Sequence, residues 1–490
     1  MPEPLSLALL AAPPAGVAVP RHDRAALRPG ILHVGVGNFH RAHMQVYLDR
    51  LFSMGRDHDW AIIGAGVKPG DAAMRARLAA QDWLTTVVEL DPAGLSARIT
   101  GAMTGYAEVT PEATIAAMAD PAIRIVSMTV TEGGYFVDAQ TDGFDTAHPE
   151  IKADAASPDA PRTVFGMILA ALRRRRAAGI APFTVLSCDN LPGNGHAAER
   201  TVTGLARLSD PALADWIAAN VAFPNSMVDC ITPATSDRER ALVADRFGII
   251  DAAPVICEPF RQWVLEDRFP LGRPALEEVG VEFVADVVPY ELMKLRILNG
   301  GHAAIAYPGA LLGHHFVHDA MADPRIRGWL DALTRREIEP TLAPIAGVSY
   351  GAYREKVAER FANPEVGDTI ARLCLDGSNR QPKFILPTIR HALDHGQPVA
   401  GLALEVALWC RYCAGTDEAG QPIPPNDENA ADLKARALAA RADPDAFLQN
   451  RAVFGNLGGK ERFRTAFAAA LTGLWTQGVA ATLAGYVGRG

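Results

Sequence analysis

Apolar positions fall along this chain in two rhythms. Through the first half, short runs rich in β-branched residues recur: Ile31, Leu32, Val34 and Val36, then "WAIIGAG" at 60–66, "IRIVSMTV" at 123–130 and "FTVLSCDN" at 183–190. Unbroken apolar runs of this length fit strands covered on both faces, as in a parallel sheet. Between them the period lengthens to that of a helix, as in Met44, Tyr47, Leu48 and Leu51, "GDAAMRARLAAQ" and "VFGMILAALRRRRAAG". Strands alternating with helices predict βαβ units and an α/β fold with a doubly wound parallel sheet.

The rhythm changes near residue 285. "YELMKLRILNGGHAAIAY", "RIRGWLDALTRREIEPTLAPI" and "DLKARALAARAD" carry helical periods with few strand signals. A boundary is expected at Asp286–Pro289, where a proline can open a helix. That gives a first domain over 1–285, including an N-terminal arm, and a mainly helical domain over 286–490. The polar, proline-bearing segment 148–162 reads as a surface excursion, and 415–430 as a solvent-facing insertion. No repeat of 20–50 residues is present.

Composition narrows the classes. A chain of 490 residues exceeds one compact core. A formal net charge of -9, with no long basic run, argues against nucleic acid or an anionic membrane as partner. The N-terminal "MPEPLSLALLAAPPAG" imitates a secretory segment but has Glu3 where a positive region belongs, so it reads as an arm. Residues 465–488 carry no charge, yet Ala, Gly, Thr and Gln477 make them poor lipid spans, and a buried terminal helix or helical pair is expected. Six scattered cysteines fit free thiols in a reducing, cytoplasmic compartment. Cys410 and Cys413 have metal-like spacing but no second pair and no nearby histidine, so no metal is expected.

The first strand runs into "HVGVGNFHRAH". Gly35 permits a tight turn, and Gly37 lets backbone amides approach a pyrophosphate at the following helix. The third glycine of G-x-G-x-x-G is replaced by His40. Gly35, Val36, Gly37, Asn38, Phe39 and Arg41 are therefore the candidate dinucleotide contacts, with Arg41 either facing phosphate or a solvated cation. After the second strand, Asp71 is the candidate for the adenosine ribose, whereas Lys68 stands nearer the strand end and would tolerate a 2′-phosphate. NAD and NADP both stay open. Thr131 and Glu132 in "TVTEGGYF", and Asp189 and Asn190 in "SCDNLPGNG", occupy further strand ends of the same sheet.

The greasy segment "KLRILNGGHAAIAYPG", 294–309, contains Lys294, Asn299 and His302. At about 100° per residue, Asn299 lies near 140° and His302 near 80° from Lys294, which places all three on one broad side. A polar side beside a domain boundary is a candidate catalytic surface.

"GVGNFHRAH", "TEGGYF", "CDNLPGNG" and the K-x-x-x-x-N-x-x-H pattern together resemble the mannitol dehydrogenase family, long-chain polyol dehydrogenases that use no zinc. The resemblance covers nearly the whole chain beyond the first two dozen residues. It implies a Rossmann-type domain, a helical domain and an active site formed between them, working with NAD on a polyol or ketose, as a monomer. It further implies Lys294 as general base, Asn190 and Asn299 as donors to the alkoxide or carbonyl oxygen, and His302 as a substrate contact. Glu291, one turn before Lys294, would pass the proton outward; a surface ion pair is the alternative. Asp229, Arg372, Arg380 and Lys383 are further substrate candidates.

Within that resemblance D-mannitol/D-fructose interconversion leads. D-arabinitol, sorbitol and hexuronates such as fructuronate are rivals, the last because the 372–383 cations would suit a carboxylate. A nucleotide sensor without turnover has no need of the lysine set, and a zinc alcohol dehydrogenase lacks its ligands here.

Overall fold

The computed structural model describes residues 1–138 and 143–488. The chain divides into two compact units, Met1–Val288 and Pro289–Gly490.

The first unit is built on five parallel strands in the spatial order Met103–Tyr106, Ala61–Ala65, Pro29–Val34, Ile125–Met128 and Thr184–Ser187. Successive residues of these strands point to opposite faces, and both faces are buried. Leu32, Val34, Val126, Met128 and Val185 join one core with Phe165, Ile168 and Val202. Ile31, Ile62, Ile125 and Leu186 join another with Leu48, Phe52 and Trp263. Two-sided burial is why these strands read as unbroken apolar runs. The fold is Rossmann-type, followed by a helix-rich unit, as the alternating pattern predicts.

Several strands escape that pattern. Val255–Cys257, Thr85–Glu89, Ser96–Thr100 and Val17–Ala18 form a second, mixed sheet. Ser226–Asp229, Gln262–Glu266 and Glu282–Val284 form a third. The hairpin Thr85–Thr100 had a visible signal, because Asp91-Pro92-Ala93-Gly94 is turn chemistry between Thr/Val-rich flanks. The N-terminal arm is ordered: Glu3–Pro4 pairs with Ile249–Ile250, and Leu5 and Leu9 are buried. The 148–162 excursion contains a helix, Pro149–Ala156. Its Ile151 is buried, and Asp154 accepts from the Arg162 and Thr163 amides at 2.7 and 3.0 Å.

The second unit centres on the helix Ala400–Cys413, which is buried at nearly every position and packs against Gly300–Leu311 and Glu461–Thr476. The amino end of that central helix is held by the buried Glu337 carboxylate, which accepts from Gly401 N at 2.7 Å, Leu402 N at 2.9 Å and Tyr486 Oη at 3.0 Å. The uncharged C-terminal segment forms two helices, Glu461–Thr476 and Val479–Val487, joined at Gly478. Their apolar sides face the core through Phe463, Phe467, Leu471, Leu474 and Leu483. Among the described residues, no helix is long and apolar enough to cross a membrane. The 415–430 insertion is anchored at both ends: Asp427 accepts from Ser378 N at 2.8 Å, and Glu418 from Val479 N at 3.0 Å.

Candidate active site

In the first unit the chain order of the five strands reverses beside Pro29–Val34, whose two neighbours are the second and the fourth strand in sequence. Ligands of open α/β sheets sit at such a switch point, outside the carboxyl ends of the strands. Gly35 lies there with φ +88°, and a Cβ on it would fall 2.2 Å from the Thr129 carbonyl oxygen, so only glycine fits. Gly37 differs. A Cβ there would meet nothing closer than 3.9 Å, leaving the turn open where a pyrophosphate would approach.

The place of the missing third glycine is explained by packing. His40 is buried and stacks on His33 of the strand, with ring centroids 3.5 Å apart and planes 14° from parallel. His33 in turn engages Ser127 Oγ at 2.8 Å and Thr129 Oγ1 at 3.1 Å, and Thr129 donates to the Gly35 carbonyl at 2.7 Å. Imidazole fills the gap that a glycine would close by bringing helix and strand together. Burial lowers both histidines, His33 to about 3, so the stack is neutral.

Arg41 is neither solvated nor aimed outward. Its buried guanidinium bonds to the Gly37 carbonyl (3.3 Å), Asn38 Oδ1 (2.8 Å) and the Ala253 carbonyl, bracing the turn from beneath, and burial lowers its pKa to about 10. Asn38 Nδ2 donates to the Pro233 carbonyl and Thr235 Oγ1, both at 3.0 Å. Val36 is buried, and the half-buried Phe39 stacks on His43. Asp71 sits in the first turn of Pro69–Ala79, where its Oδ2 accepts from the Val67 and Lys68 amides at 2.8 and 2.9 Å. Lys68 is exposed.

Thr131, Glu132 and Gly133 form an exposed turn after the fourth strand. Asn190 is exposed just after the fifth strand, and Asp229 is buried at the end of Ser226–Asp229.

In the second unit, Glu291, Lys294, Asn299 and His302 lie on one continuous helical stretch from Val288 to Leu311. Lys294 is buried, 8% exposed, while Glu291, Asn299 and His302 are half-buried. The regular α-helix assumed from sequence is corrected here: Lys294–Asn299 is a π-helical turn. An i→i+5 turn advances about 80° per residue instead of about 100°. Asn299 therefore comes to about 40° from Lys294, and His302, three α-helical residues later, to within about 20°. The three polar side chains narrow from a broad side to a single stripe. Ile297 and Leu298 are buried, and Arg296 spends its charge on the Thr341 carbonyl at 2.7 Å.

His302 stacks on Phe361 at 4.2 Å and is held well below the usual imidazole range by burial, then by Arg372, Arg380 and Arg360. The field of these arginines therefore reaches His302. Arg372 is itself paired through two hydrogen bonds with Asp368. Arg380 donates to the Leu373 carbonyl at 2.9 Å, and Lys383 is exposed. No group of three or more His, Cys, Asp or Glu side chains suited to a metal occurs among the described residues.

Strand order, an open glycine turn and a buried lysine stripe thus define a two-unit chain with a Rossmann-type dinucleotide fold and a helical second unit. Comparison with known proteins places it further. Residues 29–278 match the mannitol dehydrogenase Rossmann domain and residues 286–475 the mannitol dehydrogenase C-terminal domain. The chain belongs to the mannitol dehydrogenase family. It is 57% identical over 469 residues to a mannitol 2-dehydrogenase of Cereibacter sphaeroides, covering 95% of this chain and 98% of that one. To a mannitol 2-dehydrogenase of Aspergillus fumigatus it is 42% identical, covering 96% of each. Among solved structures, the Pseudomonas fluorescens mannitol 2-dehydrogenase ternary complex with NAD and D-mannitol aligns over the whole of both chains, with TM-score 0.86 and 41% identity. A substrate-free D-sorbitol dehydrogenase aligns with TM-score 0.91 and 36% identity over 98% of this chain and 100% of that one.

Proposed function

We propose that this protein is a metal-independent, NAD-linked polyol 2-dehydrogenase that interconverts D-mannitol and D-fructose. The oxidoreductase class and the NAD linkage rest on the family and on one relative whose solved ternary complex holds NAD and D-mannitol. The observation that carries the chemistry is the π turn, which aligns Lys294, Asn299 and His302 while Leu295 and Ile297 turn elsewhere.

A bound dinucleotide would supply the acceptor for the hydride leaving the carbinol carbon. Gly35, Val36, Gly37, Asn38, Phe39, Thr131 and Glu132 would hold it, with the open face of Gly37 fitting its pyrophosphate and Arg41 bracing that turn. Asp71 and Lys68 flank the adenosine end, and NAD is the preferred form. Oxidation needs a base for the hydroxyl proton and donors for the negative oxygen. In this reading Lys294 Nζ takes the proton, Asn299 and Asn190 donate to the oxygen, and a neutral His302 orients a substrate hydroxyl. Glu291 relays the proton from Lys294 to water. Asp229 lines the substrate wall. Arg372 and Arg380 are already engaged by Asp368 and backbone carbonyls, which favours a neutral polyol over a hexuronate carboxylate and leaves Lys383 at the rim. The enzyme acts in the cytoplasm as a monomer.

The deciding experiment follows NADH and NADPH oxidation by EDTA-treated protein with D-fructose, L-sorbose and D-fructuronate. Turnover of D-fructose with NADH supports the proposal. Turnover of L-sorbose alone would move the function to another ketose, turnover of D-fructuronate alone would move it to hexuronates, and turnover with none of the three would overturn the substrate assignment.

A further inference from the structure

Thr131 has φ 71° and ψ 157°, a region of backbone space that is essentially reserved for glycine. A threonine stays there only if its surroundings impose the conformation. The imposing group is Asp189, on the turn after the neighbouring strand. Its Oδ1 accepts from Thr131 N at 2.8 Å, and its Oδ2 accepts from Val130 N at 3.0 Å and from Tyr135 Oη at 2.7 Å. All three partners are donors, so both carboxylate oxygens are used as acceptors.

Asp189 is itself fixed. It is 8% exposed, and Asn194 Nδ2 donates to its backbone carbonyl at 3.0 Å while also bonding to the Ser226 carbonyl at 2.8 Å. Buried, rigid carboxylate and exposed, strained turn are thus joined by two amide hydrogen bonds.

We infer that Asp189 is a positioning residue for the dinucleotide, holding the Thr131–Gly133 turn in the strained shape that meets the cofactor. This rests on the dinucleotide reading above. The strain is a device: the turn is preorganised before binding, so ordering it costs no affinity. Asparagine cannot replace the carboxylate, because its amide nitrogen would face an N–H.

The test is a double-mutant cycle of Asp189→Asn and Thr131→Gly, read by NADH titration and by steady-state kinetics with D-mannitol. Asp189→Asn should weaken NADH binding by roughly 10- to 100-fold, the range set by strain of this kind. KM for NAD should rise while kcat at saturating NAD stays within about threefold. The turn meets the cofactor through its backbone at Thr131, so adding Thr131→Gly removes the strain that Asp189 holds and should recover most of the lost affinity. A merely structural role would lower kcat through the folded fraction, leave KM intact and give no recovery. Binding by Asp189→Asn within about twofold of wild type, or additive losses in the double variant, overturns the inference. If Asp189→Asn does not fold, amide exchange of the 130–131 segment in the wild-type protein decides, since unprotected amides would refute the clamp. Absence of NADH binding by the wild-type protein would instead refute the dinucleotide reading.

Discussion

Replacing Glu405 with glutamine should stabilise the helical unit progressively as pH rises. Glu405 is wholly buried on the central helix Ala400–Cys413. Its Oε1 accepts from Gln381 Nε2 at 2.7 Å, and its Oε2 has no partner among the described residues. No cation among the described residues offsets the burial, so the carboxyl is pushed from 4.5 to about 8, which favours the protonated form in the folded protein at neutral pH. The sign follows from linkage. Above pH 4.5 the unfolded chain releases this proton while the folded chain keeps it, so stability is full below 4.5 and falls as pH rises towards 8. A displacement of that size corresponds to about 5 kcal/mol at its limit, and to roughly 3 to 4 kcal/mol between pH 5 and pH 8. Glutamine keeps the acceptor for Gln381 and does not titrate. Urea unfolding of both proteins at pH 5, 6, 7 and 8, followed by tryptophan fluorescence, isolates the effect, because the difference between them cancels every other titrating group. Glu405→Gln should gain roughly 3 to 4 kcal/mol on wild type across that range. Parallel pH profiles would show that the carboxyl is ionised in the fold and refute the reasoning.

Three further outcomes are expected. His33, lowered by burial to about 3, contributes stability that is present above pH 6.5 and lost as pH falls towards 3; His33→Asn should therefore remove about 3 kcal/mol of the acid sensitivity between pH 7 and pH 4, measured by urea midpoints. Lys294→Met should reduce kcat for D-mannitol oxidation by about 10²- to 10⁴-fold with NADH affinity unchanged, and a loss below tenfold would remove Lys294 from the proton-transfer step. Prolonged dialysis against EDTA should leave turnover intact, whereas activity restored only by zinc would replace the lysine mechanism with a metal one.

Much of the first unit was readable because its signals are local. A strand buried on both faces must be apolar at successive positions, and Gly35 must be glycine for a positive φ beside the Thr129 carbonyl. The second sheet was less legible, since strands such as Val255–Cys257 are three residues long and take their meaning from distant partners. His40 looked like a defect in a glycine motif, and only packing against His33 shows it as a replacement. Arg41 read as either a phosphate contact or a solvated cation, because a sequence does not say where a side chain's carbonyl partners lie.

The amino-acid order by itself determined the α/β alternation, the change to helices near residue 285, the glycine turn and the set of polar residues on the Lys294 helix. Each is a property of neighbours a few positions apart, and backbone geometry translates such spacing directly into structure. Tertiary structure decided the rest. It placed one π turn where Lys294, Asn299 and His302 become a stripe, buried Glu405 with Gln381 as its hydrogen-bond partner, and let Asp189 hold Thr131 in a conformation threonine avoids. Hydrogen bonds and burial supplied from remote segments override local preference at these points, and no local spacing rule records them.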